Sequence, residues 1–311
     1  MTTRTEHLKD PTGWAAIERE QRGVVTSAQA YTAFGKPFVL NQIRKHRWQR
    51  ACRGVIVVHN GPIREHQRPM IALLSCAPGA VMGGLTALRE DGFTGFESVD
   101  VRPRIIVPAG ARRPSNRDVE IHWSEHLGDD DVRPNALPAR TRPARSVVSE
   151  ANWSAAPRLA RALVLATVQQ GIVRPSDILD RLDTWPNGQH RGLIAESAID
   201  AAGGTHSLPE GDFVELCVRH GAPPPSRQTI RRRPDGKYFL DVEWRAYGVS
   251  TEIHGVPHMR VLQWEADLMR ANEIVIAGPR LLIFSSYAVR HESLRVWDQV
   301  RRALIVGGWR G

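Results

Sequence analysis

The stretch KYFLDVEWRAYGVSTEIHGVPH, residues 237–258, restricts the possible fold more than any other part of this 311-residue chain. Two runs rich in β-formers, Tyr238–Trp244 and Val249–His254, flank a short loop from Arg245 to Gly248. Folded as a hairpin about the middle of that loop, they set Asp241 directly opposite Glu252. Side chains alternate along a strand, so Asp241, Glu243, Ser250, Glu252 and His254 share one face. Leu240, Val242, Trp244, Val249 and Ile253 share the other, which reads as core. Two carboxylates opposed at ~5 Å between Cβ atoms repel and destabilise a plain hairpin. A divalent cation, a proton or a nearby arginine must offset that repulsion. Mg²⁺ is held by one or two carboxylates with water and substrate phosphate, so Asp241 and Glu252 are candidate metal ligands.

Glu210 in SLPEGDFVELC, on a helix upstream, Asp241 on one strand and Glu252-x-His254-Gly255 on the next form a further pattern. In these residues the chain resembles the PD-(D/E)XK nuclease superfamily. More narrowly, residues 207–304 resemble a bacterial domain, common in actinobacteria, related to very-short-patch-repair endonucleases. His258 soon after the glycine, Asp267-x-x-Arg270 and RLLIFSSYAV before a terminal helix are the further signs. The resemblance implies Mg²⁺ or Mn²⁺ at Asp241 and Glu252, with Glu210 helping to hold the metal or its water. His254 or His258 would act as general base or leaving-group acid, an unperturbed imidazole titrating near pH ~6.5. The superfamily's lysine, two residues after the second acid, is His254 here; relatives in the narrower group also often lack it. Around this hairpin the residues predict a helix over 208–220, a helix over 261–272, a strand over 281–285 and a helix over 292–304. That order, α-β-β-α-β-α, predicts a compact α/β layer with a mixed sheet. Arg231, Arg232 and Arg233 lead into the hairpin, either to grip phosphate or to neutralise the two acids.

The opposite end of the chain has a different pattern. Short helices are predicted over 14–22, 26–34 and 38–46, the second capped by Thr26 or Ser27. Strand-like runs follow over 48–53 and 55–59, and Asn60-Gly61-Pro62 ends them. Three short helices followed by a hairpin is the order of a winged helix-turn-helix. Its third helix would carry Asn41, Gln42, Arg44 and Lys45 toward a DNA groove, amides reading adenine edges and cations reading guanine or phosphate. Arg47, Arg50 and Arg53 would contact phosphate or form a solvated basic face. In GVVTSAQA and LNQIRKHRWQRACRGVIVV the chain resembles the N-terminal winged helix of AbiEi-type antitoxins. GAVMGGLTALREDG, residues 79–92, is similar to the second part of that architecture.

Between the two ends lie two helices about Pro78-Gly79, strands over 104–108 and 118–123, and a stretch over 129–145 containing DDD and PARTRPAR. That stretch is expected to be a domain seam or solvated loop, or else a basic strap across DNA. Helices over 146–151, 158–170, 175–183 and 190–202 precede Gly203-Gly204. The expected division is 1–62, a winged helix; 63–203, a middle α+β region; and 204–311, the nuclease-like domain.

A formal net charge of +9 and a pI near 10.1 favour a polyanionic partner, nucleic acid before membrane. No apolar run approaches the ~18 residues of a membrane span. Cys52, Cys76 and Cys217 are odd in number and lack a C-x-x-C spacing, which excludes a disulfide framework or a zinc site and predicts reduced cytoplasmic thiols. Two function classes remain. One is a metal-dependent endonuclease acting on double-stranded DNA. The other is a non-enzymatic antitoxin-like repressor, with a partner toxin or repair protein as a further binding partner.

Overall fold

The computed structural model describes residues 11–96, 102–114, 116–125, 127–185, 187–202, 210–232, 238–254, 268–269, 271–272 and 280–311. The fold is α+β, and the chain divides into two compact units, Met1–Glu150 and Ala151–Gly311.

The first unit opens with α1 (Pro11–Glu20), β1 (Val24–Thr26), α2 (Ser27–Phe34), α3 (Lys36–Arg44), β2 (Gln49–Cys52) and β3 (Val55–Val57). The strands form an antiparallel sheet in the order β1-β3-β2, and the three helices and the hairpin follow the element order expected of a winged helix-turn-helix. Thr26 starts α2 with a capping box: its hydroxyl accepts the Gln29 N–H at 3.1 Å, and the Gln29 amide oxygen accepts the Thr26 N–H at 2.8 Å. Gly35 alone joins α2 to α3. Its φ of 79° lies in the region that favours glycine, and its N–H closes α2 on the Tyr31 carbonyl at 2.8 Å. An aromatic cluster fills the space behind α3: Phe34 meets Trp14 edge-on at 4.7 Å and Trp48 at 5.4 Å between centroids.

Val55, Ile56 and Val57 are all fully buried. Successive residues of a strand face opposite sides, so both sides of this small sheet need a cover. Ile56 joins the aromatic cluster. Val24, Val55 and Val57 pack against Met70 and Ile71 of α4 (Arg68–Leu74). One apolar cluster therefore spans the expected boundary at 62/63.

Beyond α4 come β4 (Val81–Met82), α5 (Gly84–Glu90), β5 (Arg104–Pro108) and β6 (Glu120–Ser124), with β4 antiparallel and β6 parallel to the central β5. Within the stretch 129–145 the chain returns along β4. The Met82 N–H donates to the Ala139 carbonyl at 2.9 Å, and the Thr141 N–H to that of Met82 at 2.9 Å. The buried carboxylate of Asp91 takes Arg133 at 2.5 Å and Arg140 at 2.8 Å. Arg140, which reads as solvated in the sequence, is paired with a buried acid, while Arg133 reaches the same acid from the surface. The segment then enters α6 (Pro143–Trp153).

The second unit contains α7 (Pro157–Gln169), α8 (Pro175–Asp183), α9 (Arg191–Ala201), α10 (Glu210–Arg219), β7 (Arg227–Arg232), β8 (Tyr238–Trp244), β9 (Val249–His254), β10 (Arg280–Ser285), α11 (Ser286–His291) and α12 (Ser293–Val306). Its sheet runs β10-β9-β8-β7, mixed because only the β9–β10 pair is parallel. Strand β7 is absent from the expected order. Its sequence RQTIRR has one large apolar residue, which suits a charged edge strand but gives little strand signal. One face of the sheet buries Val242, Trp244 and Phe284 against Phe213 of α10 and Val296 and Val300 of α12. The helical section before α10 belongs to this same unit. Arg161 of α7 pairs with Asp200 of α9 at 3.4 Å and lies 4.9 Å from the Tyr287 ring of α11. Glu196 of α9 pairs with Arg290 and with His291, the latter at 3.2 Å. The expected boundary at 203/204 thus falls inside one unit. Among the described residues no helix is long and apolar enough to cross a membrane.

Candidate active site and nucleic-acid interface

Strands β8 and β9 pair about a 3-10 turn, Arg245–Tyr247, closed by Gly248 at φ 61°. In the resulting register Asp241 is the direct partner of Glu252, as the midpoint of the loop requires. Thr229 of β7 pairs with Asp241, and Ile283 of β10 with Glu252. One rung across the sheet therefore reads Thr229, Asp241, Glu252, Ile283, with the two acids on its central strands. Glu252 alternates along β9 with Thr251 and Ile253, which are fully buried, and Asp241 holds the register position opposite it. Glu252 and its neighbour Glu243 are half-buried, and Arg245 lies 3.1 Å from the Glu243 carboxylate.

The other expected participants divide clearly. His254 pairs in register with Phe239, two residues along β9 from Glu252. Glu210 opens α10, whose Phe213 and Leu216 pack on the apolar face. Asp241 and Glu252 are brought together by strand register, and His254 follows Glu252 on the same strand. His258, Arg233, Glu265, Asp267 and Arg270 lie outside the described residues. Of the arginines before the hairpin, Arg231 pairs in register with Phe239 and Arg232 with Tyr238. Arg227, which sequence reasoning misses, pairs with Glu243. Arg227 and Arg231 flank Thr229, each diagonal to Asp241 at the ~7–8 Å spacing of such neighbours. The period-two pattern Arg227-x-Thr229-x-Arg231 was the available signal.

Two opposed carboxylates flanked by cationic positions suit a hard divalent cation and the phosphate it would bring. Asp241 and Glu252 are the residues that would hold Mg²⁺ or Mn²⁺. Among the described residues no group of three or more histidine, cysteine, aspartate or glutamate side chains gathers as a closed metal cage would. The fit rests on the register of the acid pair.

The winged helix provides the second candidate surface. From residue 21 to residue 64 the chain has no Asp or Glu and eight Lys or Arg. Arg44, Lys45, Arg47, Arg50 and Arg53 are all exposed. Helix α3 ends at Arg44, so Lys45 and Arg47 occupy the turn that follows it, while Arg50 and Arg53 lie along the hairpin. Arg53 and Gly54 (φ 83°) form its tip. The half-buried Asn41 accepts from the Arg44 guanidinium at 3.1 Å, which orients that arginine. Gln42 is a correction: it is buried, 9% exposed, on the Val39 side of α3. Its carbonyl accepts the N–H groups of Arg47 at 2.9 Å and Trp48 at 3.3 Å, closing the helix. Helical periodicity turns residues 39 and 42 inward together, so Gln42 has no path to a groove. Leu40, unremarkable in the sequence, is exposed in its place.

No protein-family profile matches this chain, and no curated protein matches it in sequence.

Proposed function

We propose that this protein binds duplex DNA through its winged helix and cleaves phosphodiester bonds at the Asp241–Glu252 pair with a divalent metal. The observation that supports this best is the direct register of the two acids on central strands of a mixed sheet. Repulsion across that rung gives the fold a reason to favour a cation. Asp241 and Glu252 would hold the metal by carboxylate oxygens. When bound, Mg²⁺ or Mn²⁺ would acidify water and offset charge on the scissile phosphate. His254, on the same strand as Glu252, moves the proton of the attacking or leaving oxygen. Arg227 and Arg231 hold the phosphate beside the acid pair. The protein acts in the cytoplasm, where its DNA is found.

A second reading is a non-enzymatic repressor related to antitoxins, with a partner toxin or repair protein. It is favoured by His254 at the usual lysine position. Supercoiled plasmid distinguishes the two. The intact chain should nick it with Mg²⁺ or Mn²⁺ and not with EDTA, and Asp241→Asn and Glu252→Gln should each remove nicking with duplex affinity unchanged. Metal-independent nicking, or nicking that survives both substitutions, removes the nuclease reading. Binding without any nicking leaves the repressor.

A further inference from the structure

The exposed face of α3 has a composition that its basic surroundings do not account for. Lys36, Pro37, Leu40 and Arg44 are exposed and Asn41 is half-buried. They recur at helical spacing and make one stripe along the outer side. Val39, fully buried, and Gln42, 9% exposed, take the inner side. Leu40 is thus a large apolar side chain, 39% exposed, at the centre of a stripe with a lysine one turn before it and an arginine one turn after. The aromatic cluster behind α3 is complete without it. No carboxylate lies between residues 21 and 64 to pair with the neighbouring cations. An apolar group set among cations complements a DNA major groove, in which the thymine 5-methyl is the apolar feature and phosphates line both edges.

Building on the winged-helix reading above, we infer that Leu40 is a specificity-determining residue that reads a thymine methyl group in the major groove. Arg44, oriented by Asn41, reads the adjoining base or its phosphate. Leu40 supplies sequence choice, and Arg47, Arg50 and Arg53 supply affinity without it.

The test uses the intact chain. Duplexes enriched from a random pool give the preferred site, and each thymine in it is then replaced by uracil, which deletes only the methyl group. At one thymine the replacement should weaken wild-type binding about fourfold, the contribution of one buried methyl-sized group. Leu40→Ala should weaken binding to the thymine site by a similar factor and be indifferent to the same uracil, with a cooperative melt showing that the variant is folded at the binding temperature. If Leu40→Ala responds to uracil as the wild type does, or no thymine matters, the inference is overturned while the winged-helix reading survives. If no duplex is enriched at all, both fall together.

Discussion

The wing hairpin of the first unit and the acid hairpin of the second make similar turns and use charge in opposite ways. Each tip relies on a glycine with positive φ, 83° at Gly54 and 61° at Gly248. Each central strand presents valine and isoleucine to a core. In the wing, like charges are strung along an exposed surface, several residues apart, where water and salt screen them. In the acid hairpin, two like charges face each other across a single rung. Removing one cation from the wing should therefore cost affinity in a graded way, whereas removing one acid from the rung changes the state of its partner.

The largest test addresses the cores behind the hairpins. Trp244 is 1% exposed and donates its indole N–H to the Pro223 carbonyl at 2.7 Å. Trp244→Ala should lower stability by about 3–5 kcal/mol in calorimetry, with duplex affinity of the folded protein retained. Trp48→Ala should cost a similar amount and abolish duplex binding. A Trp244 variant that no longer binds DNA would mean that the two functions are not divided as proposed.

Acid should also distinguish the units. In the first, burial pushes the His122 imidazole down to about 4, against smaller opposing contributions from Glu120. The unfolded chain then binds a proton that the folded chain refuses between pH about 6.5 and 4, so this stability is full above that window and falls as pH drops through it. In the second unit, His291 first, and then Arg290, hold the Glu196 carboxyl down at about 2 despite partial burial. Its contribution is present above the ordinary glutamate range and is lost as pH falls toward 2. Thermal melts should show His122→Gln flattening the pH 6.5–4 slope and Glu196→Gln flattening only the more acidic one. The opposite assignment would undo this part of the comparison.

Salt gives a smaller effect. Arg44→Ala with Lys45→Ala should weaken duplex binding and reduce the slope of log affinity against log salt by about 2, roughly one for each phosphate that is no longer neutralised. An unchanged slope in a titration would exclude both residues from the interface. The smallest effect belongs to the acid rung. Asp241→Asn without metal should leave stability equal or raise it, by about 0.2–1 kcal/mol, since one of two facing charges is gone. The wild type should gain melting temperature with Mg²⁺ or Mn²⁺ and the variant should not. If Arg227 and Arg231 neutralise the acids instead, the substitution destabilises the protein and metal does nothing.

Much of this was legible because it is local. The Asp241–Glu252 register follows from the length of one turn, and the order of the winged helix follows from Thr26, Gly35 and the paired strands about Gly54. What could not be read depends on distant partners. Gln42 is polar, and its place three residues after Val39 marks it as inward only once Val39 is known to be the buried side of the helix. Val55 and Val57 need a cover, but only the fold identifies it as Met70 and Ile71. PARTRPAR looked solvated because Asp91, which takes Arg140, lies 49 residues earlier. Strand β7 was hidden by its own arginines.

That last ion pair sets a timetable for the growing chain. The winged helix and α4 are complete before Asp91 is made, yet its two arginines come much later, Arg140 being 49 residues further on. At the about 5–20 residues per second of synthesis, the carboxylate waits several seconds for its partners. During that interval the nascent protein has a finished, strongly basic head and an unclosed second layer. A ribosome stalled before Arg140 would expose the head alone.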